Sequence, residues 1–484
     1  MSKIKVQTES ETVTLNVPDG KLLSKVLAEN GFTVPAACAG RGTCQKCAVK
    51  LVNGSFKNED PDPNGMIRSC KAIVNGDAEI MADFAQGDGL TELSQKIINT
   101  HSICGAAVDI GTTTLAATLK KSDGSLLSAS CLNPQSAYGA DVVSRINACK
   151  NGALKEQTEL IRTAVKKLID SLATDEKPEE LIVSGNATML HIFCGISPES
   201  MGCYPFTPQF TDAKILSGTE LGFDIEKIVI LPSVSAFVGA DIVSGIFALN
   251  MHKTDKKIFL ADLGTNGELV LTVNGRMYCT STAAGPALEG ACIECGTGGI
   301  KGAIDSVYKS DSEISFTTIG GIEPAGICGS GLTDAISIML DDGIVDDSGY
   351  MDNGDFYLCD NVYISQSDIR QFQLAKSAIY SGIETMSDTA EISISDIDTF
   401  YIAGGLGYYI STDSAFKAGL LPEMPKHKVV AAGNTSLNGA VMCIGNKQAI
   451  SEMQIISENC QPIDLGGNPQ FNQRFIDNMF FGGE

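Results

Sequence analysis

The feature that most constrains this chain is a pair of similar hairpins, each built around an aspartate and a turn of glycine and threonine. The first spans residues 106–119, where an apolar strand runs into Asp109, a polar turn and a second strand. The second spans residues 257–271, with Asp262 in the matching place. Glycines let backbone N–H groups approach an anion, and a carboxylate beside them suits Mg²⁺ rather than phosphate. Two copies in one chain predict two similar lobes that grip one nucleotide and its metal between facing hairpins.

The turns of both hairpins are the predicted phosphate contacts. A single hairpin of this kind would be a weak signal, because turns rich in glycine and threonine are common. The repeat makes the signal much stronger. The predicted contacts are Gly111, Thr112, Thr113 and Thr114 in the first turn, and Gly264, Thr265, Asn266 and Gly267 in the second.

Length and composition indicate a multidomain globular protein. The chain has 484 residues and is 43% apolar, which predicts roughly two to four domains with real cores. Its 35 basic and 58 acidic residues give a net charge of −23, so electrostatics disfavours both nucleic acid and anionic membrane as partners. We see no signal peptide and no membrane span. In a chain without a signal peptide, 16 cysteines favour thiols or metal ligands over disulfides, and therefore a reducing, cytoplasmic compartment.

Four cysteines within residues 1–85 have the spacing of an iron–sulfur site. Cys38, Cys44 and Cys47 lie in one loop, with five and two residues between them, and Cys70 follows. Four thiolates suit a 2Fe–2S cluster, and the small residues of the loop let it wrap the cluster. With the alternating strands and short helix before the loop, the segment resembles a β-grasp ferredoxin domain, although its first spacing exceeds the plant-type four. A structural zinc site is the alternative, but such sites usually pair close cysteines.

The rest of the chain divides into a linker and two lobes. Residues 86–103 are polar and are expected to form a linker that lets the ferredoxin-like domain swing. The first lobe is expected over 104–256, with a helix over about 153–173. The second is expected over 257–484, with a C-terminal helix that returns to the interface between the lobes. A structural role is favoured over a catalytic one for His191.

Two glycine-rich segments of the second lobe supply further candidate contacts. One leads into a helix N-terminus, which is a natural anion site, and the other follows a buried strand and could lie flat against a purine because no Cβ blocks it. The candidate contacts are Gly329, Ser330, Gly331, Gly404, Gly405 and Gly407. Cys292 and Cys295 have no second pair nearby, so thiols packed in a loop are favoured over a metal site.

Taken in order, these segments resemble the acetate kinase, sugar kinase, heat-shock protein and actin (ASKHA) superfamily of ATPases. Residues 109–114 and 262–268 are similar to its two phosphate motifs, and residues 403–407 to its adenosine motif. Residues 233–246 and 433–441 are similar to its two connecting helices. The resemblance implies an α/β fold in which a two-lobed, actin-like ATPase follows the β-grasp ferredoxin domain. No Walker-type P-loop occurs, which argues against that class of nucleotide site.

The fusion of a ferredoxin domain to this ATPase closely resembles the reductive activators of corrinoid proteins. The segments GNATMLHIFCGI, DLGTNGE, AGPALEGA, GICGSGL and AGGLG carry the resemblance over nearly the whole chain. Those proteins use ATP while passing an electron to the cobalt of a corrinoid methyltransferase partner, taking Co(II) to Co(I).

The resemblance also implies the cofactors, partners and site residues. The cofactors would be a 2Fe–2S cluster, ATP and Mg²⁺, and the partners a low-potential electron donor and a corrinoid protein, with a homodimer as a candidate assembly. Asp109 and Asp262 would hold Mg²⁺, and Glu268 or Asp241 would orient water.

Three other functions compete with this one. A small-molecule kinase would explain the ATPase motifs but would not need a ferredoxin domain. An ATP-gated electron donor to another metalloenzyme, as in the activators of 2-hydroxyacyl-CoA dehydratases, would share a cluster between subunits through a few cysteines. A redox sensor would use the nucleotide lobes only to report on the cluster. The sequence identifies neither the particular corrinoid protein nor the electron donor.

Overall fold

A computed structural model describes residues 1–8, 12–30, 32, 47–82, 101–310, 313–352, 354–407 and 410–482. Two of the predicted cluster ligands, Cys38 and Cys44, lie outside these ranges, as does most of the predicted linker. The remaining predicted site residues lie within them.

The ferredoxin-like unit is a five-stranded sheet with a helix packed across it. Its elements are β1 Ser2–Gln7, β2 Thr12–Val17, α1 Leu23–Glu29, β3 Ala48–Asn53, β4 Met66–Arg68 and β5 Ala78–Met81. The strand order is β2-β1-β5-β3-β4, with β1 antiparallel to β2 and parallel to β5. Alternate residues of β1, Ile4 and Val6, point into a core shared with Leu23, Val26 and Leu27 of α1. The alternating apolar residues of the sequence therefore form strands, and the apolar residues at helical spacing form a helix, as the sequence predicts.

The first lobe is built on a six-stranded sheet in the order β10-β11-β9-β6-β7-β8. Its elements are β6 Gly105–Ile110, β7 Thr114–Lys120, β8 Leu126–Leu132, α2 Val142–Ala148, α3 Leu154–Leu172, β9 Glu180–Gly185, α4 Ala187–Cys194, β10 Lys214–Ser217, β11 Lys227–Ile230 and α5 Ala240–Ala248. β6 pairs antiparallel with β7 and parallel with β9. The helix predicted over about 153–173 is confirmed as α3.

The second lobe repeats this plan with a sheet in the order β21-β20-β12-β13-β14-β22. The elements are β12 Ile258–Leu263, β13 Gly267–Val273, β14 Arg276–Thr282, β15 Ala303–Ser310, β16 Glu313–Thr318, β17 Gly326–Ile327, α6 Gly329–Asp341, β18 Phe356–Cys359, β19 Val362–Ile364, α7 Gln366–Thr389, β20 Thr399–Ala403, α8 Gly404–Gly407, α9 Thr412–Lys417, β21 Val429–Gly433, α10 Thr435–Met442, α11 Lys447–Asn459, β22 Cys460–Pro462 and α12 Pro469–Asp477. β12 pairs antiparallel with β13 and parallel with β20, as β6 pairs with β7 and β9. The repeat read from the sequence is thus a structural repeat.

Helices α5 and α10 pack between the two sheets. Ile258 and Leu260 of β12 join the core that holds these helices and the first lobe, whereas Phe259 of the same strand joins the core of the second lobe. The helices cross closely, because a Cβ on Gly439 of α10 would lie 2.3 Å from the Ser244 carbonyl oxygen of α5. The packing of α5 against α10 therefore connects the two lobes.

The prediction of a continuous helix over residues 233–246 is wrong in its first half, because α5 begins only at Ala240. Before it the chain forms a tight turn, in which the backbone N–H groups of Val234 and Ser235 donate to the Val238 carbonyl. The Ser235 hydroxyl accepts from the N–H of Val238 at 3.2 Å. Serine competes with helical hydrogen bonding in this way. The second connecting helix likewise begins at Thr435, after Asn434 caps it.

The ferredoxin-like unit and the end of the linker both contact the first lobe. The Lys25 ammonium of α1 lies 4.9 Å from the ring centre of Tyr138, in a 3₁₀ turn that follows β8. Buried Lys120 donates to the backbone carbonyls of His101 and Ile103, which fixes the point where the linker enters β6. Among the described residues, no helix has both the length and the apolar character needed to cross a membrane.

Candidate active site

Asp109 and Asp262 occupy equivalent positions, each as the penultimate residue of its strand. Asp109 lies beside Ser184 of the parallel strand β9, and Asp262 lies beside Ala403 of β20. The carboxyl ends of parallel strands form one edge of a sheet, which is where ligands bind in open α/β sheets. Both side chains are half-buried. The structure thus gives the two aspartates the related positions that the hairpin repeat predicted.

Asp109 is held by the start of α10, a connection that the sequence did not indicate. The Asn434 amide donates to one carboxylate oxygen at 2.9 Å, and the Ser436 hydroxyl donates to the other at 2.8 Å. The Ser436 hydroxyl also lies 2.9 Å from that of Ser184, which in turn lies 3.2 Å from that of Ser244 in α5. The hydrogen bonds therefore join Asp109 to both interlobe helices.

Burial, and then mutual repulsion, raise the pKa values of Asp262, Asp241 and Glu268 in the acidic cluster around Asp109 and Asp262, which we call the cleft. Burial, together with the negative charges of Asp241, Asp109 and Glu289, raises the pKa of Asp262 to about 8. Burial and the charge of Asp109 raise the pKa of Asp241 to about 7. The pKa of Glu268 is raised well above its usual range, first by burial and then by Asp241 and Asp262. The arrangement carries excess negative charge that a cation would relieve.

This set of donors fits Mg²⁺ held largely through water and phosphate. Carboxylate oxygens are the ligands that Mg²⁺ prefers, and the ion usually keeps several waters and uses one or two carboxylates. Within the described ranges, no three carboxylate, histidine or cysteine side chains converge to form a coordination sphere of their own. Asp109 and Asp262 are the residues that would hold the ion.

Two buried side chains that the sequence analysis did not identify donate hydrogen bonds to the first phosphate turn. The Asn133 amide donates to the Gly111 carbonyl at 2.8 Å. The Arg145 guanidinium donates to the Thr112 carbonyl at 2.5 Å, and burial lowers the pKa of Arg145 to about 10. Both contacts use backbone carbonyls, so neither of them occupies an N–H group or a hydroxyl of the turn. Arg145 lies in α2, and a lone arginine in a helix gives no sequence signal for such a role.

Glu289 joins the two phosphate turns. A single carboxylate oxygen, Oε2, accepts from the Thr113 hydroxyl at 2.7 Å and from the Thr265 hydroxyl at 2.5 Å. The residue ends a 3₁₀ turn, Pro286–Glu289. Glu294 lies beyond this turn and is exposed. The bridge spans 176 residues of chain, so no local pattern could have revealed it.

The predicted adenosine segment lies directly against the second aspartate. Gly404 has a φ of +84°, and a Cβ there would lie 2.7 Å from a carboxylate oxygen of Asp262. Only glycine satisfies both conditions. A Cβ on Gly405 would meet open space, which suits the flat backbone surface predicted for a purine. Gly407 ends α8.

The predicted anion site at the start of α6 is more enclosed than expected. Gly329, Ser330 and Gly331 are buried, and the Ser330 hydroxyl donates to the Asp305 carbonyl at 2.7 Å. A Cβ on Gly329 would lie 2.0 Å from the Leu288 carbonyl oxygen. This helix end therefore supports the segment that carries Glu289, and a direct contact with nucleotide stays a prediction.

Half of the predicted cluster site is described, and it lies in the core of the ferredoxin-like unit. Cys47 and Cys70 are 1% and 5% exposed. The Ser69 hydroxyl donates to the Cys47 carbonyl at 2.8 Å. Two buried thiols in the core of this unit fit an iron–sulfur cluster.

The sequence analysis also considered His191, Cys292 and Cys295. Both ring nitrogens of His191 are engaged, one with the Ala187 carbonyl at 2.7 Å and the other with the N–H of Gln209 at 3.0 Å. This supports the structural role predicted for it. Cys292 is exposed and Cys295 is half-buried, and in the described part of the chain neither belongs to a group that could hold a metal.

Three family models match consecutive parts of the chain. Residues 6–75 match the 2Fe–2S iron–sulfur cluster binding domain. Residues 104–254 match the RACo middle region, and residues 256–484 match the C-terminal domain of RACo, the ASKHA domain. The ferredoxin-type and ASKHA-type units expected from the sequence are confirmed, and the cofactors are a 2Fe–2S cluster, ATP and Mg²⁺.

Similar proteins of known function extend these matches. The chain is 32% identical over 420 residues to the corrinoid activation enzyme RamQ of Eubacterium limosum, covering 78% of this chain and 70% of that protein. It is 28% identical over 233 residues to a Co(II) methylated amine-specific corrinoid protein reductase of Methanosarcina barkeri, covering 44% and 43%. A solved structure of a reductive activator for a corrinoid, iron–sulfur protein has the same fold, with a TM-score of 0.73, 24% identity and coverage of 99% of this chain and 98% of that one.

Proposed function

Because the chain belongs to the family of corrinoid-activating enzymes, we propose that it uses ATP to reduce a corrinoid protein from Co(II) to Co(I). The electron comes from its 2Fe–2S cluster, and the product serves a corrinoid-dependent methyltransferase. The observation that carries the proposal is the presence in one chain of a ferredoxin-like unit and two aspartate hairpins braced by α5 and α10. A nucleotide site alone would suit a kinase, and a ferredoxin alone would suit a simple electron carrier.

ATP is needed because the electron transfer runs uphill. Co(I) is a strong reductant, and each tenfold of unfavourable equilibrium corresponds to about 59 mV for a one-electron step. The protein must therefore favour a state of the partner in which cobalt accepts the electron. Closure of the two lobes around a nucleotide can favour this state of the partner, provided that the closed form of the protein binds it more tightly than the open form does.

The residues of the cleft supply binding and orientation. Asp109 and Asp262 would hold the metal, and the N–H groups and hydroxyls of the two phosphate turns would bind the phosphates. Asp241 or Glu268 orients the attacking water, since both lie in the same acidic cluster as Asp262. Bound Mg²⁺ neutralises phosphoryl charge, and the cluster supplies one-electron chemistry.

The proposal extends to partners and location. A low-potential donor must reduce the cluster again after each transfer, because one electron leaves with the cobalt. A homodimer is the proposed assembly. A cytoplasmic location is proposed from the 16 cysteines, since no cysteine of the described ranges forms a disulfide.

Phosphate release in the presence of a corrinoid protein tests this function. The iron-loaded protein is mixed anaerobically with MgATP, and hydrolysis is measured with the corrinoid protein in its Co(II) or its methyl–Co(III) form. We expect slow basal turnover that only the Co(II) form stimulates. Equal turnover with both forms, or ATP consumption that follows an added sugar or carboxylic acid instead, would favour a kinase.

A further inference from the structure

Glu289 fills the acceptor position between the two phosphate turns. Its Oε2 atom accepts from two hydroxyls, one from each phosphate turn, at 2.7 Å for Thr113 and 2.5 Å for Thr265. Hydroxyls and N–H groups of such turns are the usual donors to a nucleotide's terminal phosphates. We propose that Glu289 is a positioning residue that competes with the terminal phosphate of ATP for these two hydroxyls, and so makes the cleft discriminate ATP from ADP. The inference rests on the ATP site proposed above.

The competition follows from charge and from donor number. Each threonine hydroxyl has a single proton to donate. A carboxylate and a phosphoryl group cannot both accept it, and two anions repel each other at this range. The charge of Glu289 already acts on the cleft, since it contributes to the raised pKa of Asp262. A terminal phosphate must therefore displace the carboxylate, whereas ADP, which lacks that phosphate, need not.

The segment that carries Glu289 is well placed to transmit the displacement. Ala287 and Leu288, just before it, are buried in the core of the second lobe. The Leu288 carbonyl lies against Gly329 at the start of α6, and a Cβ on Gly290 would lie 2.4 Å from the Thr297 carbonyl oxygen. A well-packed turn of this kind moves with its neighbours rather than alone. Release of the bridge would thus alter the contact between the lobes and the packing around α6.

The test compares nucleotide affinities of the full-length Glu289→Gln variant with those of the wild type. Glutamine has the same shape and can accept from the same hydroxyls, but it lacks the charge. Dissociation constants are measured by calorimetry for MgADP and for a Mg-bound ATP analogue with a non-hydrolysable β,γ-imido bridge. We expect tighter binding of the ATP analogue by roughly three- to tenfold, with ADP affinity unchanged within about twofold.

Two further variants separate this role from a purely structural one. Glu294→Gln removes a carboxylate five positions away that is exposed and pairs with Tyr363, so it should leave both affinities unchanged. Glu289→Asp keeps the charge but is one methylene shorter, so its hold on the two hydroxyls should loosen and its preference should shift toward the ATP analogue, as in Glu289→Gln. A Glu294→Gln protein that gains affinity for the ATP analogue to the same extent would show a general effect of net charge and would overturn the inference.

The remaining outcomes also decide the question. If Glu289→Gln weakens both nucleotides equally, the residue only holds the turns together, and the inference is wrong. If it weakens the ATP analogue alone, Glu289 helps to bind the metal–phosphate complex, and the inference is also wrong. A wild-type protein that binds neither nucleotide would instead refute the ATP site itself.

Discussion

At the scale of single residues, the cleft is lined by carboxylates whose like charges repel one another. Burial raises the pKa of both Asp109 and Asp262, but Asn434 and Ser436 donate to Asp109, whereas three neighbouring acids repel the charge of Asp262. Asp262 therefore has the greater need of a cation, and it is the residue whose loss should most affect metal binding.

We predict that Asp262→Asn abolishes most Mg²⁺-dependent ATP hydrolysis, with a loss of about 10²-fold or more. The substitution removes a metal-holding charge while keeping the side-chain shape. Phosphate release over a range of Mg²⁺ concentrations measures the effect. The matched control is Asp305→Asn in β15, outside the cleft. Turnover within about threefold of the wild type in the Asp262 variant would mean that the aspartate does not hold the metal.

The raised pKa of Asp241 predicts a dependence of stability on pH. Its pKa is about 7 in the folded protein, against about 3.9 in an unfolded chain. Between these values the folded state binds more protons than the unfolded state, so stability falls as the pH rises through this window. Asp241→Asn should therefore raise Tm at pH 8, by roughly 2–4 °C for each kcal/mol relieved, and change it little at pH 4.5.

Thermal melts at the two pH values, without Mg²⁺ or nucleotide, check this expectation. Adding Mg²⁺ should reduce the difference between variant and wild type at pH 8, because the cation relieves the same repulsion. A gain in Tm that is equal at both pH values would contradict an origin in the ionisation of Asp241.

At the scale of elements, the contact between α5 and α10 couples the two lobes. Gly439 of α10 lies against the backbone of Ser244, and Ser436, one turn earlier, donates to Asp109. The same helix therefore connects the interlobe packing with the first phosphate hairpin.

We predict that Gly439→Ala destabilises the protein by about 1–3 kcal/mol, because a Cβ would meet the Ser244 carbonyl at 2.3 Å and must push the helices apart. The spreading should also weaken nucleotide binding. Urea unfolding and calorimetry measure the two effects. Gly298→Ala is the control, since its Cβ would meet nothing within 4 Å. Equal free energies of unfolding for the two variants would mean that the close approach of α5 and α10 does not contribute to stability.

The elements that the sequence predicted well are those with local signals. The strands around Asp109 and Asp262 follow from apolar runs broken by glycine and threonine, and α3 follows from its helical period. The start of α5 did not follow, because a serine turn at Ser235 took the place of helical hydrogen bonds. Contacts such as Glu289 with Thr113 depend on how distant segments approach one another, and periodicity carries no information about that.

At the scale of the whole molecule, electron transfer and nucleotide chemistry are located in different units of the chain. Cys47 and Cys70, two of the predicted cluster ligands, lie in the core of the ferredoxin-like unit, whereas Asp109 and Asp262 lie in the sheets of the two lobes. The unit contacts the first lobe through Lys25 and Tyr138. Variants in the two sites should therefore fail at different steps.

The most direct test of the account is the absorbance of a Co(II) corrinoid protein under a low-potential reductant, followed with and without MgATP. We predict rapid formation of Co(I) only when the intact protein and ATP are both present. Cys47→Ala should retain basal ATP hydrolysis but lose cobalt reduction, and Asp262→Asn should retain a reducible cluster but also lose cobalt reduction. Formation of Co(I) that is equally fast without ATP would contradict the central claim that the nucleotide drives the electron to cobalt.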